Sequence, residues 1–146
     1  MTIESKVREI VGEYFSGFSF VFEDWNTADT KLDKVELPAI IMILPVSGVL
    51  QFGQHGRIKD AENTIVAFVD KVPKEADGRD NEVVYNEMKV AARAFVRRLN
   101  ESGYFNYIQG DVPYNTIIEQ LSSIVTGVAL QLQLKELVGR CECWLV

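Results

Sequence analysis

Side chains able to do chemistry are few and scattered along this chain. Cys141 and Cys143, one residue apart near the end of the 146 residues, could offer two thiolates to a metal. A zinc site wants about four ligands, and the one histidine, His55, is far away in sequence. The pair therefore reads as two cysteines of a terminal strand, too few and too close for a disulfide framework. His55 itself would need a Ser or Cys nucleophile and a carboxylate beside it, and neither a nucleophile elbow nor a His-Glu helix motif is present. Gly53-Gln-His-Gly56 has no Gly-Lys-Ser/Thr after it, so its glycines read as turn residues rather than a phosphate loop. The acidic turn from Glu75 to Glu82 lacks the alternating oxygens, sixth-position Gly and twelfth-position Glu of a calcium loop. Helix capping accounts for it. Lys89, Arg93, Arg97 and Arg98 make a basic strip that could touch phosphate, but on an acidic chain such cations pair with neighbouring carboxylates. Tyr104, Phe105, Tyr107 and Tyr114 read as core or interface, because the interleaved cations of a single-strand stacking platform are missing. The expectation is a protein with no catalytic residue, no cofactor and no metal.

The segment that would position any site runs from Thr64 to Leu99. TIVAFVD, residues 64 to 70, is apolar between its ends and rich in β-branched residues, as in a strand covered on both faces. Pro73 and Gly78 break it, and Asp77, Asp80 or Asn81 can cap the helix that follows. Val84, Tyr85, Met88, Ala92, Phe95, Val96 and Leu99 recur at three and four, one apolar stripe, and Gly103 closes the helix.

Around it, residues 2 to 16 predict an amphipathic helix with Ile3, Val7, Ile10, Val11, Tyr14 and Phe15 on one face. Phe18, Phe20 and Phe22 then alternate with Ser19, Val21 and Glu23, the period of a strand. Residues 26 to 36 are polar and turn-rich and read as a connection. LPAIIMIL gives a second strand, with Pro38 at an edge or at its opening and Pro45 closing it. From Val46 to Asn63, Gly48, Gly53 and Gly56 surround a short apolar patch, Val49, Leu50 and Phe52, which predicts an extended hairpin arm or long loop. The aromatic stretch 104 to 114 suits a short edge strand, a further strand follows at 115 to 121, and Ser122-Ser123 suits a turn. Val128, Leu130, Leu132 and Leu134 alternate with Ala129, Gln131, Gln133 and Lys135, the clearest strand pattern in the chain.

Together these elements predict one α+β domain over residues 1 to 146: a mostly antiparallel sheet, two helices on one face and a hairpin arm. The apolar residues outnumber what two helices can cover, so Phe18, Phe20 and Phe22, with Val49, Leu50 and Phe52, are the candidate self-association surface. With 15 Lys and Arg against 21 Asp and Glu, the net charge of −6 argues against a general nucleic-acid surface. The opening MTIESKVREIVGEYF is too charged for a secretory signal and no apolar run approaches a membrane span. A cytosolic, reducing setting is expected.

The run TIVAFVDKVPKEADGRDNEVVYNEMKVAARAFVRRLNESGYF, followed by IVTGVALQLQLKEL, resembles the tail terminator or tail-completion proteins of long-tailed bacteriophages, in particular relatives carried in prophages of gut Bacteroides-type bacteria. The likeness spans roughly residues 37 to 138 and lies in element order, the helix after the central strand and the Gly127-Val128 opening of the last strand. It implies an α+β subunit that assembles, often as a hexameric ring, at the head-proximal end of the tail tube, stops tube growth and offers a surface to the head connector. The partners implied are other copies of the chain, tail-tube and connector proteins, and DNA as passing cargo only, with no membrane. Such a subunit is assembled in the bacterial cytoplasm and ends in the virion. No catalytic residue carries over, and Cys141 and Cys143 fall outside the likeness. Two alternatives stay open: another phage morphogenesis protein, such as a connector adaptor or minor tail subunit, and a small ligand-binding or enzymatic α+β domain with its pocket near His55.

Overall fold

A computed structural model describes residues 2–73, 75–120 and 124–141. The predicted Ser122-Ser123 turn and Cys143 lie outside the described residues.

The first helix, α1 (Ile3–Tyr14), starts where the Thr2 hydroxyl accepts from the Ser5 amide and buries Ile3, Val7, Ile10 and Val11. Strand β1 (Ser19–Glu23) pairs in parallel with β2 (Ala39–Ile43), and β2 runs antiparallel to β4 (Arg57–Lys71). Between β1 and β2 the polar stretch expected as a connection is a helix, α2 (Trp25–Leu32). It is capped by Asp24, whose carboxylate accepts from the Thr27 amide at 2.8 Å, and it buries Ala28 and Leu32, one turn apart. A parallel pair needs a crossover between its strands, and α2 provides it.

Strand β4 is 15 residues long because its first half continues past the sheet as one side of the arm. On one edge it pairs with β2 and then with β3 (Ser47–Phe52), and on the other with β6 (Val125–Lys135) and the two-residue β7 (Arg140–Cys141). Strand β5 (Tyr114–Gln120) pairs with the far side of β6, so the main sheet runs β1-β2-β4-β6-β5. The expected strand over 104 to 114 is absent: those residues make only an isolated bridge, Phe105 to Glu136, and the strand begins at Tyr114. The architecture is α+β, as expected, with a mixed but mostly antiparallel sheet.

Helix α3 (Gly78–Glu101) opens with a reciprocal box: the Asp77 carboxylate accepts from the Asp80 amide at 2.9 Å and Asp80 accepts from the Asp77 amide at 3.1 Å. The acidic turn is thus a cap. The buried Asn81 donates to Glu119 and to the Asp77 carbonyl and accepts from Thr126 Oγ1 at 2.7 Å, which ties the head of α3 to β5 and β6.

Each sheet face carries its own core. Alternation sends Val66, Phe68, Val128, Leu130, Leu132 and Leu134 toward α1 and α3, where Phe95 meets Phe68 and Phe15 with ring centres 5.4 and 6.0 Å apart. Ala67, Val69, Ala129 and Ile41 point the other way and pack against Ala28 and Leu32 of α2. The expectation of two helices on one face holds for α1 and α3, but a third covers part of the other. Phe18, Phe20 and Phe22 also change place: all three are half-buried on the α1–α3 side, Phe18 edge-on to Phe15 and Phe20 beneath the Arg8 guanidinium. The opposite face owes nothing to them.

Candidate assembly surface

Strands β3 and β4 form the expected hairpin arm, closed by a single 3-10 turn at Gln54–Gly56 in which His55 takes φ 61° and Gly56 φ 73°. Pairing is continuous from Ser47↔Asn63 to Phe52↔Ile58. Gly48 permits it, because a Cβ there would stand 2.5 Å from the Ala61 carbonyl oxygen. At the base, Asn63 Nδ2 donates to Ser47 Oγ at 2.9 Å. Every residue of β3 is exposed, including Val49 at 50%, Leu50 at 58% and Phe52 at 75%, and Val46 just before it stands at 92%. Alternation puts Leu50, Phe52 and Ile58 on one face of the hairpin and Val49 on the other. Among the described residues the outer edge of β3 has no strand beside it.

A second surface lies where α2 stops covering its face of the sheet. Two adjoining hollows of about 420 and 370 Å3 share Ile65 and Gln131 in their linings. The first reaches toward the arm base through Ile43, Val46 and Asn63, the second toward α2 through Trp25, Asp29, Asn115 and Ile117. The lining mixes apolar side chains with the carboxamide residues Asn26, Asn63, Asn115, Gln131 and Gln133. Sequence reasoning missed this groove because it missed α2; the signal was Asp24 before a helix start, with Ala28 and Leu32 four apart.

The chemistry-bearing candidates are dispersed. His55 lines a shallow hollow of about 830 Å3 at the arm tip with Arg57 and Lys59, and among the described residues no carboxylate is in that lining. Among the described residues no three His, Cys, Asp or Glu side chains come together as a metal-holding group. Cys141 stands opposite Arg57 in β7. Of the basic strip, Arg98 pairs with Glu101 at 3.3 Å and lies over the Tyr14 ring, while Lys89 lies over Tyr85 and Tyr114. Arg93 and Arg97 face solvent. Phe105 is buried, and Tyr104 donates to Glu9 Oε2 at 2.9 Å, a bond to the neutral phenol that raises its pKa, with burial and the charges of Glu9 and Glu13 adding to it.

Polar groups in the interior serve the fold. Glu136, fully buried, accepts from Lys6 Nζ at 2.9 Å and from the Asp60 amide at 3.0 Å. Beside it Glu62 has its carboxyl pKa raised, first by burial and then by the nearby Asp60 and Glu136 charges. Asp24 is lowered instead, by the Thr27 amide and hydroxyl bonds that make it a cap. Among the described residues no helix is long and apolar enough to cross a membrane. Comparison with protein-family models, with curated proteins and with solved structures finds no match.

Proposed function

We propose that the chain is a structural subunit of phage or prophage tail completion, one that assembles into a ring at the head-proximal end of the tail tube and docks to the head connector. The observation that carries this reading is the arm: a continuously paired hairpin whose apolar residues Val49, Leu50 and Phe52 all stand in solvent on an isolated chain. Such a surface is an aggregation hazard unless another protein covers it. A closed ring needs two unlike, complementary patches on each subunit, and the groove beside α2 is a second patch on a different part of the sheet. The resemblance to tail terminators supplies the setting, and the net charge of −6 suits a lumen through which DNA passes without adhering. Its partners are other copies of itself, the tail tube and the connector, and its destination is the virion.

The test trims the arm and leaves the core. Replacing residues 51–59 by Asn-Gly joins Leu50 to Asp60, which already face each other in register. The trimmed protein should melt as a folded domain, stay at the mass of one chain and fail to complete tails in an assembly assay. Trimmed protein that still forms rings and completes tails would refute the reading.

A further inference from the structure

We propose that the arm of one copy seats in the groove beside α2 of the next copy, so that arm and groove are the two halves of one head-to-tail contact. This rests on the ring reading above and names the partner surface within it.

Charge distribution carries the argument first. All 21 acidic residues lie outside Leu37–Lys59, while that stretch holds Arg57 and Lys59 and, between them and β3, His55. On an acidic protein the arm tip is therefore a local cation. The groove presents the opposite sign: Asp29 is in its lining, and the sequence through α2, residues 24–36, carries four acids, Asp24, Asp29, Asp33 and Glu36, against Lys31 and Lys34. Like-charged arms repel each other, and an arm meeting this groove does not.

Polar complementarity agrees. The outer edge of β3 exposes backbone donors and acceptors in a row. A carboxamide can both donate and accept, and Asn26, Asn115, Gln131 and Gln133 line the groove. Apolar residues of the arm would meet Ile65, Ile117 and Trp25 in the groove lining.

The arm cannot serve its own groove. Val46 and Asn63, at the hairpin base, form the groove's near wall, and a hairpin paired without interruption to Phe52↔Ile58 runs away from its base rather than back over it. The occupant has to come from another copy, and because arm and groove are different surfaces, the contact is heterologous and propagates until it closes.

Two variants test this on the full chain. One removes the arm's apolar tip (Leu50→Ser with Phe52→Ser), and the other fills the groove (Asn115→Trp); thermal melts establish that each is folded. Each alone should keep the mass of one chain at concentrations where the unaltered protein assembles. An equimolar mixture should give a dimer and stop there, since it holds one intact arm and one intact groove. A groove-filled protein that still forms rings, or a mixture that stays monomeric while the unaltered protein assembles, overturns the proposal. An unaltered protein that never exceeds one chain's mass, alone or with tail tubes, overturns the ring reading itself and this one with it. Should Asn115→Trp fail to fold, Asp29→Lys takes its place. It should weaken assembly about tenfold or more, with recovery when Arg57→Asp and Lys59→Asp are added on the arm. Weakening without that recovery also counts against the contact.

Discussion

Lys6 Nζ stands 2.9 Å from Glu136 Oε2, a bond between residues 130 positions apart that fastens α1 to the end of β6. The Lys6 side chain is 12% exposed and that of Glu136 not at all, so water does little to soften the loss of either partner. Lys6→Met should destabilise by about 3–5 kcal/mol, because it strands a buried carboxylate. Adding Glu136→Gln, which keeps an acceptor for the Asp60 amide, should restore most of it. Urea melts of the two single variants and the double check this; strict additivity would mean the pair is not coupled.

Gly127 and Gly12 make opposite predictions for the same change. A Cβ on Gly127 would fall 1.8 Å from the Phe68 carbonyl oxygen, while one on Gly12 meets nothing within 4 Å. Gly127→Ala should force β4 and β6 apart and cost about 3 kcal/mol or more, at the upper end for overpacking. Gly12→Ala, inside α1, should add about 0.5–1 kcal/mol of stability through helix propensity. Thermal melts showing the same sign for both would contradict the pairing of Gly127 with Val69 across β4 and β6.

Phe95→Ala removes the ring that joins α3 to both Phe68 and Phe15. The expected cost is about 3–5 kcal/mol for a fully buried aromatic. Guanidinium melts that show a loss below about 1 kcal/mol would put the stripe on the surface.

Glu62 gives a pH signature. Its carboxyl pKa is raised in the folded state by burial and by Asp60 and Glu136. The folded protein therefore holds this proton at pH values where the unfolded chain has released it, so stability falls as pH rises from the ordinary glutamate range through the raised value. Glu62→Gln should stabilise the protein at neutral pH, and the gain should vanish below the ordinary glutamate range. A melting temperature raised equally at acid and neutral pH would point to packing instead.

Periodicity made α1, α3 and β6 readable, since each buries one long apolar stripe. Asp77 and Asp80 were legible as a cap for the same reason, their place just before the α3 stripe. Helix α2 was not, because only Ala28 and Leu32 of its eight residues are buried and the rest match the composition of a loop. Without α2 the groove cannot be imagined, while Phe18, Phe20 and Phe22 look like surplus only until they are placed on the α1–α3 side. The aromatic stretch 104 to 114 misled in another way: Phe105 is buried through one bridge, and aromatic content alone does not make a strand. The arm was visible as glycines around an apolar patch, but the groove is assembled from Ile65, Asn115 and Gln131 on three different strands, a juxtaposition no local pattern records.

The length of β4 separates two kinds of constraint along one strand. From Ala61 onward the strand is held by β6 and by two cores, whereas among the described residues Arg57, Ile58 and Lys59 pair with β3 and the two residues of β7 alone. Asp60 meets Glu136 through backbone groups, so even there the side chain can change. If the arm seats on a neighbouring copy as proposed, sequence drift at its tip would retune which neighbour is accepted without endangering folding, and an arm transplanted between two such proteins should carry its partner preference with it.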